Sequence, residues 1–207
     1  MDLLLATRNP NKTREVRELL GKEFNVLDLG SFPELVLPEE TGRTFEENAV
    51  SKALAAARHP EVRTRHLHVI ADDSGLEVDS LGGAPGIYSA RYAGDGASDD
   101  ENIDKLIRDL IRQNISADEC RARFRCVIAL VTDAKLLRTF EGIVEGKIVD
   151  QRRGNQGFGY DPIFQPDGFE QTFGEMPAEL KNKLSHRVKA AAAVRSELRS
   201  VRKDRTH

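Results

Sequence analysis

The sequence predicts an α/β fold built on a mixed β-sheet. Two observations carry this reading. Apolar strand-like runs alternate with helical stretches in the first half of the chain. Two long strand-like runs, Arg121 to Thr132 and Leu136 to Glu145, then follow each other around Asp133-Ala134 as a β-hairpin would.

Each element has its own signal. Leu3 to Ala6 is a short apolar strand, and Thr7 to Lys12 a loop. A helix from Thr13 to Leu20 puts Val16, Leu19 and Leu20 on one face, and Gly21 stops it. Phe24 to Leu29 reads as the second strand, and Ser31 to Gly42 as a Pro-containing connection carrying Glu39 and Glu40. Thr44 and Glu47 have the spacing of a capping box, opening an alanine-rich helix that runs to about Arg58 and is closed by Pro60. Another strand begins near His68. Asp99 to Gln113 is amphipathic, with Ile103, Leu106, Ile107, Leu110 and Ile111 at helical spacing. The last helix starts near Ser185, passes Leu198, and ends in a charged tail, Arg199 to His207, expected to fray. The Pro- and Gly-bearing stretches near 31–43 and 82–97 read as functional loops within a single domain over residues 1–207.

Composition narrows the function. Hydrophobic residues make up 39% and charged residues 31% of 207, which suits a folded, water-soluble chain and argues against disorder. A formal net charge of -3 gives no bulk attraction to nucleic acid, so a polyanion must be held by a local cluster of cations. No run has the length of a transmembrane helix, and Met1 to Ala6 lacks the form of a signal peptide, so a cytoplasmic protein is expected. Cys120 and Cys126 lack zinc-site spacing and read as buried free thiols.

The most informative run is Val69-Ile70-Ala71-Asp72-Asp73-Ser74-Gly75. It reads as a buried strand ending in two carboxylates, with a Ser-Gly turn directly after. Side chains alternate along a strand, so Asp72 and Asp73 should point to opposite sides. Two such acids are costly together unless a cation or a proton-transfer task uses them. The bland alternative is a capped turn with both acids solvated. With Glu39 and Glu40 they are candidates for an oxygen-donor site for Mg²⁺, which takes one or two carboxylates plus waters and phosphates; a solvated acidic loop is the alternative for Glu39 and Glu40.

Other residues have weaker signals. Asn9 can cap the first helix and Lys12 adds charge one turn in, at a helix N-terminus of the kind that holds phosphates; taken alone, an ordinary capped helix with a solvated lysine is the simpler reading. Lys52 is either solvated surface or a phosphate neutraliser. Gly157-Phe158-Gly159-Tyr160-Asp161-Pro162 sets an aromatic between glycines, where it can stack on a planar base rather than simply pack. Ser185 is a good N-cap, whereas Arg187 in the first turn opposes the helix dipole, so His186 and Arg187 are candidates for reading purine carbonyls.

Taken in order, six stretches carry a resemblance to a known family: Leu5-Ala6-Thr7-Arg8-Asn9-Pro10-Asn11-Lys12, Thr44-Phe45-Glu46-Glu47-Asn48-Ala49, Ala71-Asp72-Asp73-Ser74-Gly75-Leu76, Gly82 to Tyr92, Gly157 to Pro162 and Ser185-His186-Arg187. The set resembles the inosine triphosphate pyrophosphatase family, enzymes that clear non-standard purine nucleotides. The resemblance implies Mg²⁺-dependent hydrolysis of XTP, ITP and dITP to monophosphate and pyrophosphate. It also implies a homodimer and a long mixed sheet with the active-site cleft between two lobes. Carried over by motif, Asp73 would be the general base and, with Glu39, a metal contact. Thr7, Arg8, Asn9, Asn11, Lys12, Lys52 and Ser74 would line the triphosphate. Phe158, Gly159, Tyr160, Asp161, Lys181, His186 and Arg187 would hold the base and its neighbours. The resemblance leaves the division of roles between Asp72 and Asp73 open.

Three rivals stand against this reading. A phosphatase removing only the terminal phosphate would release orthophosphate. A non-catalytic nucleotide-binding protein on the same scaffold would have no use for a base poised beside a metal. A nucleic-acid-binding module is disfavoured by the acidic balance.

Overall fold

The computed structural model describes residues 1–116 and 120–204. Its six-stranded sheet has the order β2-β1-β3-β4-β5-β6. The strands are β1 (Asp2–Leu5), β2 (Asn25–Asp28), β3 (His68–Val78), β4 (Arg121–Thr132), β5 (Lys135–Ile148) and β6 (Phe164–Pro166). The helices are α1 (Pro10–Leu20), α2 (Phe45–Arg58), α3 (Pro60–Thr64), α4 (Asp99–Arg112), α5 (Ala178–Leu184) and α6 (His186–Asp204). Strand β1 pairs in parallel with both β2 and β3, while β5 pairs antiparallel with β6, so the sheet is mixed as expected.

The chain divides into two compact units, neither of them continuous in sequence. One comprises Met1–Asp73, Cys126–Gly142 and Arg187–His207, the other Ser74–Arg125 and Ile143–His186.

In the first unit, the buried faces of β1 (Leu3, Leu5), α1 (Val16, Leu20), β4 (Cys126, Ile128, Leu130) and α6 (Ala190, Ala191, Val194, Leu198) form one core. Helix α2 buries an alanine face, Ala49, Ala53, Ala56 and Ala57, which lets a helix lie close to its neighbours. Its Thr44 cap accepts from the Glu47 amide, but Glu47 returns its bond to the Arg43 amide, one residue before the expected partner. Pro60 closes α2 and also opens α3, because a proline at the first helical position sacrifices no hydrogen bond.

In the second unit, Leu76, Val78, Ile103, Leu106, Leu110, Phe124, Phe164 and Phe173 anchor the core. Each such side chain contributes about 1.5–3 kcal/mol on burial. Helix α4 carries a complete Ser98–Glu101 capping box. Ile111 is 65% exposed, not on the buried face, because it lies ~80° around the helix from Ile103.

Two further expectations need correction. Strand β3 does not end at Asp72 and Asp73. It runs on to Val78, and Ser74-Gly75 are strand residues. Gly75 is there for space: a Cβ would lie 2.3 Å from Ser89 Oγ and 2.4 Å from the Gly86 carbonyl. The charged tail is helical as far as Asp204, and residues 205–207 lie outside the described residues. The hairpin stands as expected. Asp133 and Ala134 both have positive φ, 51° and 58°, the combination a two-residue turn between twisted strands requires. Cys120 and Cys126 are buried and free.

Candidate functional site

The predicted residues fall into two clusters, one in each unit. In the first unit, β1 delivers the chain to Thr7, whose Oγ1 accepts from the Asn9 amide at 3.2 Å. Asn9 caps α1, accepting from the amides of Asn11 and Lys12 at 2.9 and 3.3 Å. Pro10 takes the first helical position. Arg8 donates to the Leu35 carbonyl at 2.9 Å, and Asn11 accepts from Arg14.

Lys12, one turn into α1, places Nζ 3.0 Å from Asp72 Oδ2. One turn further, Glu15 accepts from Arg187 Nη1 at 2.5 Å, and Arg187 Nη2 lies 3.4 Å from the same Asp72 oxygen. Arg187 is only 2% exposed. The local conflict between its charge and the α6 dipole is outweighed by these two carboxylates. Burial pushes the Asp72 carboxyl up, but Lys12, Arg187 and Lys52 outweigh it and hold the pKa well below the ordinary range.

Asp73 meets a different set of partners, as strand alternation requires. Asn48 Nδ2 donates to its Oδ2 at 2.9 Å, and Lys52 Nζ lies 3.4 Å from Oδ1. Asn48 and Lys52 are one turn apart on α2, so one helix face supplies both. Gly42 makes room for Asn48, since a Cβ there would lie 2.5 Å from Asn48 Oδ1. Desolvation raises the Asp73 pKa, the Glu40 charge adds to it, and Lys52, Lys12 and Asn48 oppose it without cancelling it. The two neighbouring aspartates therefore differ: Asp72 is a fixed anion, whereas Asp73 is a carboxyl for which charge is costly.

Lys52 also pairs with Glu40 at 2.6 Å, while Glu39 is exposed in the same loop. One ammonium thus sits between Glu40 and Asp73, showing that this loop and β3 place two carboxylates around a single cation. Among the described residues, no three His, Cys, Asp or Glu side chains gather to hold a metal by themselves. Hard oxygen donors in this small number suit a cation that completes its shell with water and phosphate.

In the second unit, Asp161 organises the Gly-rich loop. Its Oδ2 accepts from the Phe158 amide at 2.8 Å and from Lys181 Nζ at 2.6 Å. Lys181, on α5, also lies over the Phe158 ring, 5.1 Å from its centroid. Gly157 is obligatory: its φ is +77°, and a Cβ would come within 1.9 Å of Asp161 Oδ2. Tyr160 donates its hydroxyl to the Ser89 carbonyl at 2.9 Å, and burial raises its pKa. His186 stacks on Phe124, with centroids 4.8 Å apart and planes 11° from parallel. Ser74 is half-buried in β3.

A model of the Ham1 family matches residues 3–197. The chain belongs to the Ham1 family. It is 48% identical over 96% of its length to a dITP/XTP pyrophosphatase of Methylococcus capsulatus, covering 96% of that protein. It is 44% identical to a dITP/XTP pyrophosphatase of Bacillus subtilis, covering 91% of this chain and 92% of that one. Among solved structures, a HAM1 protein from Coxiella burnetii superposes with a TM-score of 0.84 at 38% identity, covering 97% of this chain and 99% of that one. The Staphylococcus aureus Ham1 protein gives 0.81 at 39% identity, with the same coverage. The α/β fold with a mixed sheet is therefore that of the Ham1 family.

Sequence reasoning passed over Glu15, Asn48 and Phe124. Asn48 had a usable signal: it stands four residues after the Thr44 cap and four before Lys52, on the alanine face. Glu15 likewise stands one turn after Lys12. Phe124 is one of several alternating strand residues, and nothing local marks it as the platform for His186.

Proposed function

We propose that this Ham1-family chain hydrolyses the non-standard purine nucleoside triphosphates XTP, ITP and dITP to the monophosphate and pyrophosphate. The names of its relatives support the reaction class. The observation that carries the residue assignment is the contrast between Asp72 and Asp73. Asp73 is a buried carboxylate held in place by Asn48 and paired with Lys52, positioned to accept a proton from a water. Asp72 pairs through Oδ2 with Lys12 and Arg187 and positions those two cations.

In this reading Asp73 orients a water and accepts its proton as the water attacks the triphosphate. Lys12 and Lys52 bring positive charge to an anionic substrate, and Thr7, Asn9 and Ser74 supply neutral contacts. Asp73 and Glu39, with Glu40 beside it, would hold Mg²⁺, which neutralises phosphate charge when bound. Phe158 stacks on the base. Lys181, Asp161 and the amides around Tyr160 fix that ring, and His186 donates to the carbonyl that distinguishes hypoxanthine and xanthine from adenine. The two terminal nitrogens of Arg187 face Glu15 and Asp72, so it supports these carboxylates as well as standing beside His186 at the base. A homodimeric, cytoplasmic protein completes the proposal. No helix among the described residues is long and apolar enough to cross a membrane.

Asp73→Asn tests the assignment. The variant should fold, bind ITP with Mg²⁺, and lose turnover by about 10²–10⁴-fold, the usual worth of a general base. Near-normal turnover would remove Asp73 from the chemistry.

A further inference from the structure

Asp99 has no part in the assignments above, yet it holds the same loop as Asp161. It is the first residue of α4, and its Oδ2 accepts the Gly159 amide at 2.6 Å. The preceding amide, that of Phe158, goes to Asp161 Oδ2 at 2.8 Å. The two consecutive amides beside the aromatic ring are thus tied to carboxylates on separate elements. Asp99 and Phe158 also line one cavity, of about 330 Å³, with Gly157 and Gly159.

The anchor is firm at its helix end. The Ser98–Glu101 capping box fixes the first turn of α4, and Ile103, Leu106 and Leu110 bury the helix in the core of the second unit. A carboxylate in a first helical turn is favoured by the helix dipole. The loop end has little stiffness of its own. Gly157 and Gly159 adopt φ of +77° and +62°, and nothing lies within 4 Å of where a Gly159 Cβ would stand. Gly159 thus has open space on its Cβ side, and the hydrogen bond to Asp99 ties its amide to α4. A charge-assisted bond of this kind is among the stronger ones a backbone amide makes.

We propose that Asp99 is a positioning residue for base recognition: by tying Gly159 to α4 it sets where the Phe158 ring stands. The proposal rests on the reading of Phe158 as the stacking contact for the purine.

Steady-state kinetics with ITP and Mg²⁺ test it in Asp99→Ala, Asp99→Asn, Phe158→Ala and the Asp99→Ala/Phe158→Ala double variant. Asp99→Ala should raise KM about tenfold with kcat within about twofold, the loss of one charge-assisted hydrogen bond. Asp99→Asn keeps an acceptor and should recover most of that. In the Phe158→Ala background, Asp99→Ala should add less than about twofold, because the ring it positions is gone. Additive losses, or a fall in kcat at unchanged KM, would overturn the proposal. So would a normal KM for Asp99→Ala alongside a raised KM for Phe158→Ala. A normal KM for Phe158→Ala itself would instead refute the stacking contact, and the proposal with it. Thermal melts accompany each variant, and Asp99→Glu, which displaces the acceptor by one methylene, serves if the alanine variant does not fold; it too should raise KM.

Discussion

Arg187 joins Glu15 to Asp72, with Nη1 2.5 Å from Glu15 and Nη2 3.4 Å from Asp72. The three come from α6, α1 and β3, so a single guanidinium ties together the beginning, middle and end of the chain within one unit. A buried ion pair with hydrophobic replacements for every partner can be neutral in stability, but removing one partner strands the others. Arg187→Met should therefore destabilise by about 3–5 kcal/mol, read by urea unfolding. Adding Glu15→Gln to that variant should recover part of the loss. A double variant no better than the single would mean that Glu15 is not left as an uncompensated charge.

Asp72 ties stability to pH. Its carboxyl has a lower pKa folded than unfolded, because Lys12, Arg187 and Lys52 outweigh the desolvation that pushes it up. The folded state thus binds that proton more weakly, and the contribution is complete above the unfolded value and lost as pH falls toward the folded one. Unfolding free energy should decline as pH drops below about 4. Asp72→Asn should be less stable at neutral pH and show a shallower decline. Equal slopes for the two proteins would contradict the assignment.

Lys12 places its ammonium on the Asp72 oxygen at the opening turn of α1. If its charge serves the outer phosphates, Lys12→Ala should raise KM for ITP by about tenfold or more, while inhibition by the monophosphate changes less than about threefold. Equal losses for both would place Lys12 elsewhere on the substrate.

Much of the fold was legible because its signals are local. Continuous apolar runs marked β1 and β3, and long strand-like runs marked β4 and β5. The Asp133-Ala134 spacing gave the hairpin, and caps at Thr44 and Gly21 fixed helix ends. The failures came where a local signal was overridden by contacts distant in sequence. Ser74-Gly75 looks like a turn but is strand, because Gly75 is needed where Ser89 and Gly86 press against β3. Helix α5 went unread because Ala178–Leu184 is short and has no side-chain cap.

The site divided in the same way. Asp72 and Asp73 were conspicuous, and strand alternation correctly separated their partners. Their opposite pKa shifts could not be read, since those depend on which cations α1, α2 and α6 bring to them. Arg187 was singled out because it broke a local rule. The reason for the break is the pair of carboxylates on α1 and β3, which no sequence spacing reveals.

The most direct test is product analysis. Purified protein with Mg²⁺ would be given ITP, XTP, dITP, GTP and ATP, with pyrophosphate and orthophosphate measured separately. Pyrophosphate from ITP, XTP and dITP, with GTP and ATP nearly untouched, is the predicted result. Orthophosphate as the released product, or nucleotide binding without turnover, would contradict the chemistry assigned to Asp73.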